Sequence, residues 1–106
     1  MNAEFIANVT VVAVAGRAIM LEGPPGSGKT SLALALIDRG AKLVGDDGVG
    51  LDRRGALITA SPPPHTAGKI EIRNVGIVEM PAVEAPLALI LSLDPAAERT
   101  SWLTGD

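Results

Sequence analysis

A glycine-rich run at positions 23–30 holds the residues best suited to chemistry. It reads GPPGSGKT and matches the pattern G-x-x-x-x-G-K-[ST] at every fixed position. Glycine allows successive backbone N–H groups to converge on phosphate oxygens, and a helix that begins in the loop adds its own free N–H groups. We expect Lys29 to reach the β- and γ-phosphates and Thr30 to ligate a bridging Mg²⁺. The run therefore predicts a site for ATP and Mg²⁺.

The phosphate contacts are expected along the second half of this loop. Pro24 and Pro25 have no backbone N–H, so most donors must come from Gly26 through Thr30. The alternative is a glycine–proline turn that only connects two secondary-structure elements. A predicted strand before the loop and a predicted helix after it favour the nucleotide interpretation. The predicted contact residues are Gly23, Gly26, Ser27, Gly28, Lys29, Thr30 and Ser31.

An acidic pair, Asp46-Asp47, ends the next predicted strand. In a parallel strand–helix–strand unit, the carboxyl end of the second strand lies beside the loop that follows the first. Neighbouring strand residues point to opposite faces, so the two carboxylates are expected to have different roles. One would accept a proton from an attacking hydroxyl and the other would hold Mg²⁺. An exposed Asp-Asp-Gly turn is the alternative.

The elements that would position these residues follow from the hydrophobic pattern. A helix is predicted from Lys29 to Arg39, apolar on both sides and therefore buried on most of its surface. Pro86 should break the chain before the most hydrophobic strand, and the polar tail 94–106 shows no period. The predicted strands are 9–14 and 18–21 as a hairpin, 41–44, 49–52 and 56–60 as a hairpin, 69–73, 75–78 and 87–93. The fold class is α/β, with a mixed sheet packed on a central helix.

Composition narrows the classes of function. The 106 residues suit one domain, 1–106, and nine Lys and Arg against twelve Asp and Glu give a net charge of −3, so no nucleic-acid surface is expected. Without Cys, disulfides and thiolate metal sites are impossible, and the lone His65 lies beside three prolines in a predicted exposed loop. The apolar run 9–15 is too short for a membrane helix. We expect a cytoplasmic protein that neither binds nor crosses a membrane.

Three ordered blocks resemble the catalytic domain of HPr kinase/phosphorylase. They are the loop 23–30, Asp38-Arg39-Gly40 followed by 42–47 (KLVGDD), and 71–77 (EIRNVGI), which is similar to that family's Glu-x-Arg-Gly-x-Gly-Ile signature. The resemblance covers about residues 7 to 93 and is nearest to the short, single-domain form of α-proteobacteria. It implies a fold like HPr kinase and phosphoenolpyruvate carboxykinase, and we expect this chain to lack the family's C-terminal helices.

The resemblance also implies a reaction. Family members use ATP to phosphorylate a seryl hydroxyl of HPr, the phosphocarrier of the sugar phosphotransferase system, and reverse this with inorganic phosphate, releasing pyrophosphate. By position, Asp46 is implied as the base and Asp47 as its Mg²⁺-binding neighbour, with Lys29 as the third catalytic residue. Glu71 and Arg73 are implied on the phosphate and Mg²⁺ side, which makes Thr30, Asp47 and Glu71 the metal set. The family also implies a homo-oligomer.

The chain departs from the family at three positions. Asn8 stands where a His is usual, Ser31 where an acidic residue usually follows the loop, and Asn74 at the signature's first glycine. These departures leave open a binding module that senses ATP or phosphate without turnover. A second alternative is an AAA-type ATPase, with Asp94 after the strand 87–93 as its metal ligand. Against the latter, Pro95 stands where such enzymes carry a glutamate that polarises water.

Overall fold

A computed structural model describes residues 3–93 and 100–102, and the side chains of residues 4–93. These residues form ten strands and one helix. The elements are β1 (Ala3–Ala7), β2 (Val9–Val14), β3 (Arg17–Glu22), α1 (Lys29–Asp38), β4 (Lys42–Gly45), β5 (Gly48–Arg54), β6 (Leu57–Ser61), β7 (Lys69–Ile72), β8 (Gly76–Glu79), β9 (Ala85–Ser92) and β10 (Thr100–Trp102).

Eight strands form a mixed sheet in the order β1-β5-β6-β9-β3-β2-β4, with β10 paired to β9. The β3–β9 pair is parallel, and the other pairs of this sheet are antiparallel. β2 lies between β3 and β4, so β4 runs in the same direction as β3 and both end at one edge of the sheet. The strand–helix–strand unit therefore brings the acidic pair and the glycine-rich loop to that edge, with β2 between the two strands. The sheet is a half-barrel that carries one helix.

Two continuous chain segments bend at one point, which we call the Asn8–Asp47 corner. The first runs from β1 into β2 through Asn8, and the second runs from β4 into β5 through Asp46 and Asp47. β1 pairs with β5 and β2 pairs with β4, while the Asn8 N–H donates to the Asp47 carbonyl at 3.1 Å. Asn8 and Asp47 have φ values of 65° and 63°, a region that Asn and Asp enter more readily than most residues. The corner turns both ladders together and places the acidic pair at the bend.

The sheet separates two apolar clusters. Inside the half-barrel, alternate residues of β2 such as Val9 and Val11 pack with Met20, Val44 and other buried side chains. On the opposite face, Val12 and Leu21 pack against Ala33 of the helix. This alternation follows the two-residue period of a strand. The packing of α1 on this face of the sheet therefore fixes the start of the helix relative to the ends of β3 and β4.

The helix is less buried than its sequence predicts. It ends at Asp38 and not at Arg39, and Arg39 and Gly40 form the turn that follows. Ala33 is its one buried residue, while Ala35 is exposed and Leu34 is half-buried. The prediction of burial on most sides is wrong, because within the described residues the sheet covers one face of the helix. The apolar Leu34 instead borders the cleft described below.

Other strand predictions also need correction. Pro86 lies inside β9, near its start, where a missing N–H interrupts little of the ladder. The segment 75–78 does not continue the main sheet: β8 pairs with β7 in a separate hairpin, with Val75 and Ile77 about 70% and 69% exposed. The hydrophobic pattern predicts neither β1 nor β10. No helix in residues 3–93 or 100–102 is long and apolar enough to cross a membrane.

Candidate active site

An open cleft of about 860 Å³ lies at the edge where β3 and β4 end. Three parts of the chain form its walls: the glycine-rich loop with the start of α1, the Asn8–Asp47 corner, and the turn of the β7–β8 hairpin. Its lining residues are Thr10, Pro25, Gly26, Gly28, Lys29, Thr30, Ser31, Leu34, Asp46, Asp47 and residues 71–76. The three sequence blocks that carried the family resemblance therefore meet in space.

The glycine-rich loop is shaped by its own backbone. Gly26 and Gly28 adopt φ values of 83° and 99°, which residues with a side chain rarely adopt. The Ser27 N–H donates to the Pro24 carbonyl at 3.0 Å and closes a turn. The first N–H groups of α1 have no intrahelical partners, as at the start of any α-helix, and Gly28, the N-cap, has no side chain that could accept from them. The loop presents these donors where Gly28, Lys29, Thr30 and Ser31 line the cleft.

The Lys29 side chain folds back over the first residues of the glycine-rich loop. Its Nζ donates to the Gly23 carbonyl at 2.6 Å and to the Pro24 carbonyl at 3.3 Å. An ammonium has three donors, and a phosphate oxygen is a stronger acceptor for it than a neutral carbonyl. The contacts of Lys29 thus hold the charge at the loop without neutralising it.

Gly23 and Ser27 support the loop and do not line the cleft. A Cβ on Gly23 would come within 2.7 Å of the Ser27 Oγ, so the two residues pack closely. The Ser27 Oγ is buried and has no hydrogen-bond partner among the described residues. Buried hydroxyls are normally paired, so this oxygen is an exception within the loop.

The two carboxylates of the acidic pair have different surroundings. The Asp46 carboxylate accepts from the Thr10 Oγ1 at 3.2 Å and from the Glu71 backbone N–H at 3.1 Å. Asp47 is exposed, and its carboxylate accepts no hydrogen bond from the described residues. The strand ends at Gly45, so both aspartates line one cleft instead of pointing to opposite faces as the alternation predicts. Their roles are separated by hydrogen bonding and not by strand geometry.

The β7–β8 hairpin brings the signature residues to the cleft. Glu71 lies in β7 and Arg73 begins the turn, and both are exposed cleft residues. Asn74, at the signature's first glycine, has a φ of 69°. Asn is one of the few residues with a side chain that adopts this conformation readily, so the departure from glycine is accommodated by the backbone. Asn8 and His65 do not line the cleft.

Thr10 is a cleft residue that the motif analysis misses. It is 1% exposed and is the one hydroxyl in a strand that otherwise carries Val and Ala. That polar exception in an apolar run was the signal that could have identified it, because a buried hydroxyl needs a partner.

The predicted metal set offers oxygen donors only. Thr30, Asp47 and Glu71 line the same cleft and offer one hydroxyl and two carboxylates. Within the described residues, no group of three or more His, Cys, Asp and Glu side chains is placed to hold a metal ion. Mg²⁺ is usually held by one or two carboxylates together with substrate phosphates, so this sparse oxygen set fits Mg²⁺ in company with a nucleotide.

The half-barrel with one helix and a loop-and-carboxylate cleft defines an α/β kinase-like domain. The chain belongs to the family described as the HPr Serine kinase C-terminal domain, whose model matches residues 2–84. It is 28% identical to a solved structure, the Hpr(Ser) kinase/phosphatase from Coxiella burnetii, with a TM-score of 0.77 over 84% of this chain and 58% of that chain. The family resemblance read from the three blocks is thereby confirmed.

Curated relatives agree with this assignment. The chain is 37% identical over 73 residues to the HPr kinase/phosphorylase of Clostridium acetobutylicum and 39% identical over 74 residues to that of Chlorobium phaeobacteroides. These alignments cover 69% of this chain and 24% and 22% of those proteins. The chain thus spans about a quarter of the length of the curated relatives. Family membership argues against the AAA-type alternative, whose Asp94 lies outside the described residues.

Proposed function

We propose that this chain binds ATP with Mg²⁺ and transfers the γ-phosphoryl group to a seryl hydroxyl of the phosphocarrier HPr. The observation that carries the proposal is the single cleft in which the glycine-rich loop, the acidic pair and the signature hairpin meet. The names of similar proteins also support the proposal, because the relatives that this chain resembles are named HPr kinase/phosphorylase. The proposed unit is one P-loop domain over residues 1–106, acting in the cytoplasm where ATP is available.

The loop would hold the phosphates. The free N–H groups at the start of α1 supply donors, and the helix dipole adds a partial positive charge at the same place. Lys29 is within reach of the loop interior because its Nζ already contacts the Gly23 carbonyl. We infer that this ammonium moves from carbonyl to phosphate oxygens when nucleotide binds, while Gly23, Gly26, Ser27 and Ser31 shape the loop around them.

Thr30, Asp47 and Glu71 are the proposed Mg²⁺ ligands, directly or through water. When bound, the ion would act as a Lewis acid and draw charge from the transferring phosphoryl group. Arg73, the charged residue that follows on the same wall, would neutralise further charge on the equatorial oxygens. Asp47 suits this role better than Asp46 because its carboxylate is exposed and has no donor among the described residues.

Asp46 is the proposed general base. It would take the proton of the seryl hydroxyl as the seryl oxygen forms a bond to the γ-phosphorus and the bond to the β–γ bridging oxygen breaks, leaving ADP. The Thr10 hydroxyl donates one hydrogen bond to one carboxylate oxygen, and the Glu71 N–H donates one to the other. Each carboxylate oxygen keeps a second acceptor site, so the carboxylate can be oriented and still accept a proton.

The reverse reaction would use the same groups. Inorganic phosphate would occupy the position of the β-phosphate and attack a phosphoseryl group, while protonated Asp46 donates its proton to the leaving seryl oxygen. The products are the free seryl hydroxyl and pyrophosphate. A loop that recognises phosphate through backbone donors and Lys29 suits phosphate as a nucleophile, which ordinary P-loop kinases do not use.

We also propose that copies of the chain associate. Phe5, Val14, Leu57 and Ile58 are large apolar side chains that are 39–58% exposed on the main sheet. Contact with another copy of the chain would remove some of this apolar area from water. Sedimentation analysis at two protein concentrations tests this part of the proposal separately from activity.

The proposed reaction is tested by incubating the chain with labelled ATP, Mg²⁺ and HPr. Phosphoserine on HPr supports the kinase, free phosphate without HPr indicates an ATPase, and nucleotide binding without turnover indicates the sensor. A second incubation with phosphoseryl-HPr and millimolar phosphate is expected to yield pyrophosphate. A chain that phosphorylates HPr and never makes pyrophosphate would contradict the phosphorylase half alone.

A further inference from the structure

The Asp46 carboxylate is held by donors from two separate parts of the fold. The Thr10 hydroxyl in β2 donates to Oδ1 at 3.2 Å, and the Glu71 backbone N–H in β7 donates to Oδ2 at 3.1 Å. Because each oxygen has its own donor, rotation of the carboxylate breaks at least one hydrogen bond. Asp46 itself lies in a bend outside any strand, where its own backbone gives less restraint.

Thr10 is a rigid donor. Its residue is 1% exposed in a strand that is paired on both edges, by β3 and by β4. The branched side chain of threonine has few χ1 rotamers, and burial restricts it further. A buried hydroxyl without a partner is costly, so Thr10 and Asp46 each favour the arrangement in which they are bonded.

We propose that Thr10 is a positioning residue that fixes the Asp46 carboxylate for proton transfer, acting together with the Glu71 N–H. This inference rests on the proposed function, since it assigns Asp46 its role as base. The hydroxyl reaches the reaction through Asp46 and does not itself contact the acceptor. The Asp46 carboxylate also links the β7–β8 hairpin to the main sheet, because it accepts one hydrogen bond from Glu71 in the hairpin and one from Thr10 in the sheet.

Three variants test the proposal in the 106-residue chain. Thr10→Val keeps the shape and removes the hydroxyl, Thr10→Ser keeps the hydroxyl, and Thr59→Val removes a second buried hydroxyl, 7% exposed, that lies outside the cleft. Misplacing a catalytic group costs roughly a hundredfold in rate for a 1 Å shift. We therefore expect kcat for HPr phosphorylation to fall about tenfold to a hundredfold in Thr10→Val. Thr10→Ser should recover most of kcat, and Thr59→Val should retain it.

Hydrogen exchange of the Glu71 amide provides a readout that does not depend on activity. A freed carboxylate should release this N–H, so Thr10→Val should lose Glu71 protection while Thr10→Ser and Thr59→Val keep it. If the wild-type chain transfers no phosphate, the proposed function fails, and the exchange result still decides whether Thr10 orients Asp46. Retention of both kcat and Glu71 protection in Thr10→Val would overturn the inference. So would equal losses in Thr10→Val and Thr59→Val, because these would indicate a structural role only.

Discussion

The glycine-rich loop and the β7–β8 hairpin are two walls of one cleft, and they are held in different ways. The loop is fixed by its own atoms, through the Ser27 N–H to Pro24 and the Lys29 Nζ to Gly23, and continues into a helix packed on the sheet. The hairpin forms a sheet of its own and exposes Val75 and Ile77. Its buried Ile70 and the Glu71–Asp46 bond connect it to the rest.

The conformation of the loop depends on residues that are adjacent in sequence, whereas the position of the hairpin depends on tertiary contacts. The loop conformation is a property of eight consecutive residues, so a motif predicts it. The hairpin reaches the cleft because a carboxylate 25 positions earlier in the chain accepts its backbone N–H. We therefore expect changes at the corner to affect catalysis most, changes in the loop to affect binding, and changes in the hairpin turn to have the smallest effects.

Asp46→Asn is expected to have the largest effect. An amide cannot accept the seryl proton, and general base catalysis contributes about 10²–10⁴-fold in rate. Phosphotransfer to HPr should fall by that factor, while ATP affinity with Mg²⁺ stays within a few-fold. Single-turnover kinetics and titration calorimetry measure the two quantities.

Two further substitutions sharpen this result. Asp47→Asn should raise the Mg²⁺ concentration needed for half-maximal rate, and Asp38→Asn, on the exposed end of the helix, is the matched control. Exchanged phenotypes for the two cleft aspartates would reverse their assigned roles. Unchanged turnover in both would show that the corner is merely structural.

Lys29→Ala should weaken ATP binding without unfolding the chain. The lost charge-assisted contact is worth roughly 1.5–3 kcal/mol, or about tenfold to a hundredfold in affinity. Lys42→Ala removes an equal charge from an exposed strand residue outside the cleft and should bind ATP normally. Equal affinities for wild type and Lys29→Ala in titration calorimetry would exclude the proposed phosphate contact.

Gly45→Ala should destabilise the Asn8–Asp47 corner. A Cβ at Gly45 would collide with the Gly48 carbonyl oxygen, which is backbone and cannot turn aside. Overpacking of this kind costs about 1–3 kcal/mol of unfolding free energy. In Gly50→Ala the nearest atom is the Ser61 Oγ at 3.0 Å, the end of a side chain that can rotate, so its loss should be smaller. Equal urea midpoints for the two variants would show that the corner is not closely packed.

Asn74→Val is expected to have the smallest effect. The left-handed conformation costs a residue with a bulky side chain about 1–2 kcal/mol, and Asn74 lies in an exposed turn. Faster hydrogen exchange confined to β7 and β8 is the expected result, with Asn74→Gly as the control that keeps protection. Uniform acceleration across the main sheet would show that the hairpin and the sheet open as one unit.

The sequence predicts most of what depends on short-range pattern. β2, β3, the helix and the half-exposed β7 follow from hydrophobic period and glycine placement, and the acidic pair follows from the end of β4. The pairing of β1 with β5 could not be predicted in this way, because the segment 3–7 has no distinct alternation and gains its partner across the corner. The role of Thr10 also depends on a distant partner, because Asp46 lies 36 positions later in the sequence.

The most direct test of a single active site is a titration of the chain with ATP and Mg²⁺ that is monitored through amide chemical shifts. We expect Gly28 and Lys29 in the loop to shift with the same midpoint as Glu71, Arg73 and Val75 in the hairpin. One midpoint means that one ligand bridges both walls. Shifts confined to the loop, with the hairpin amides unchanged at saturation, would contradict the claim that the two walls form a single active site.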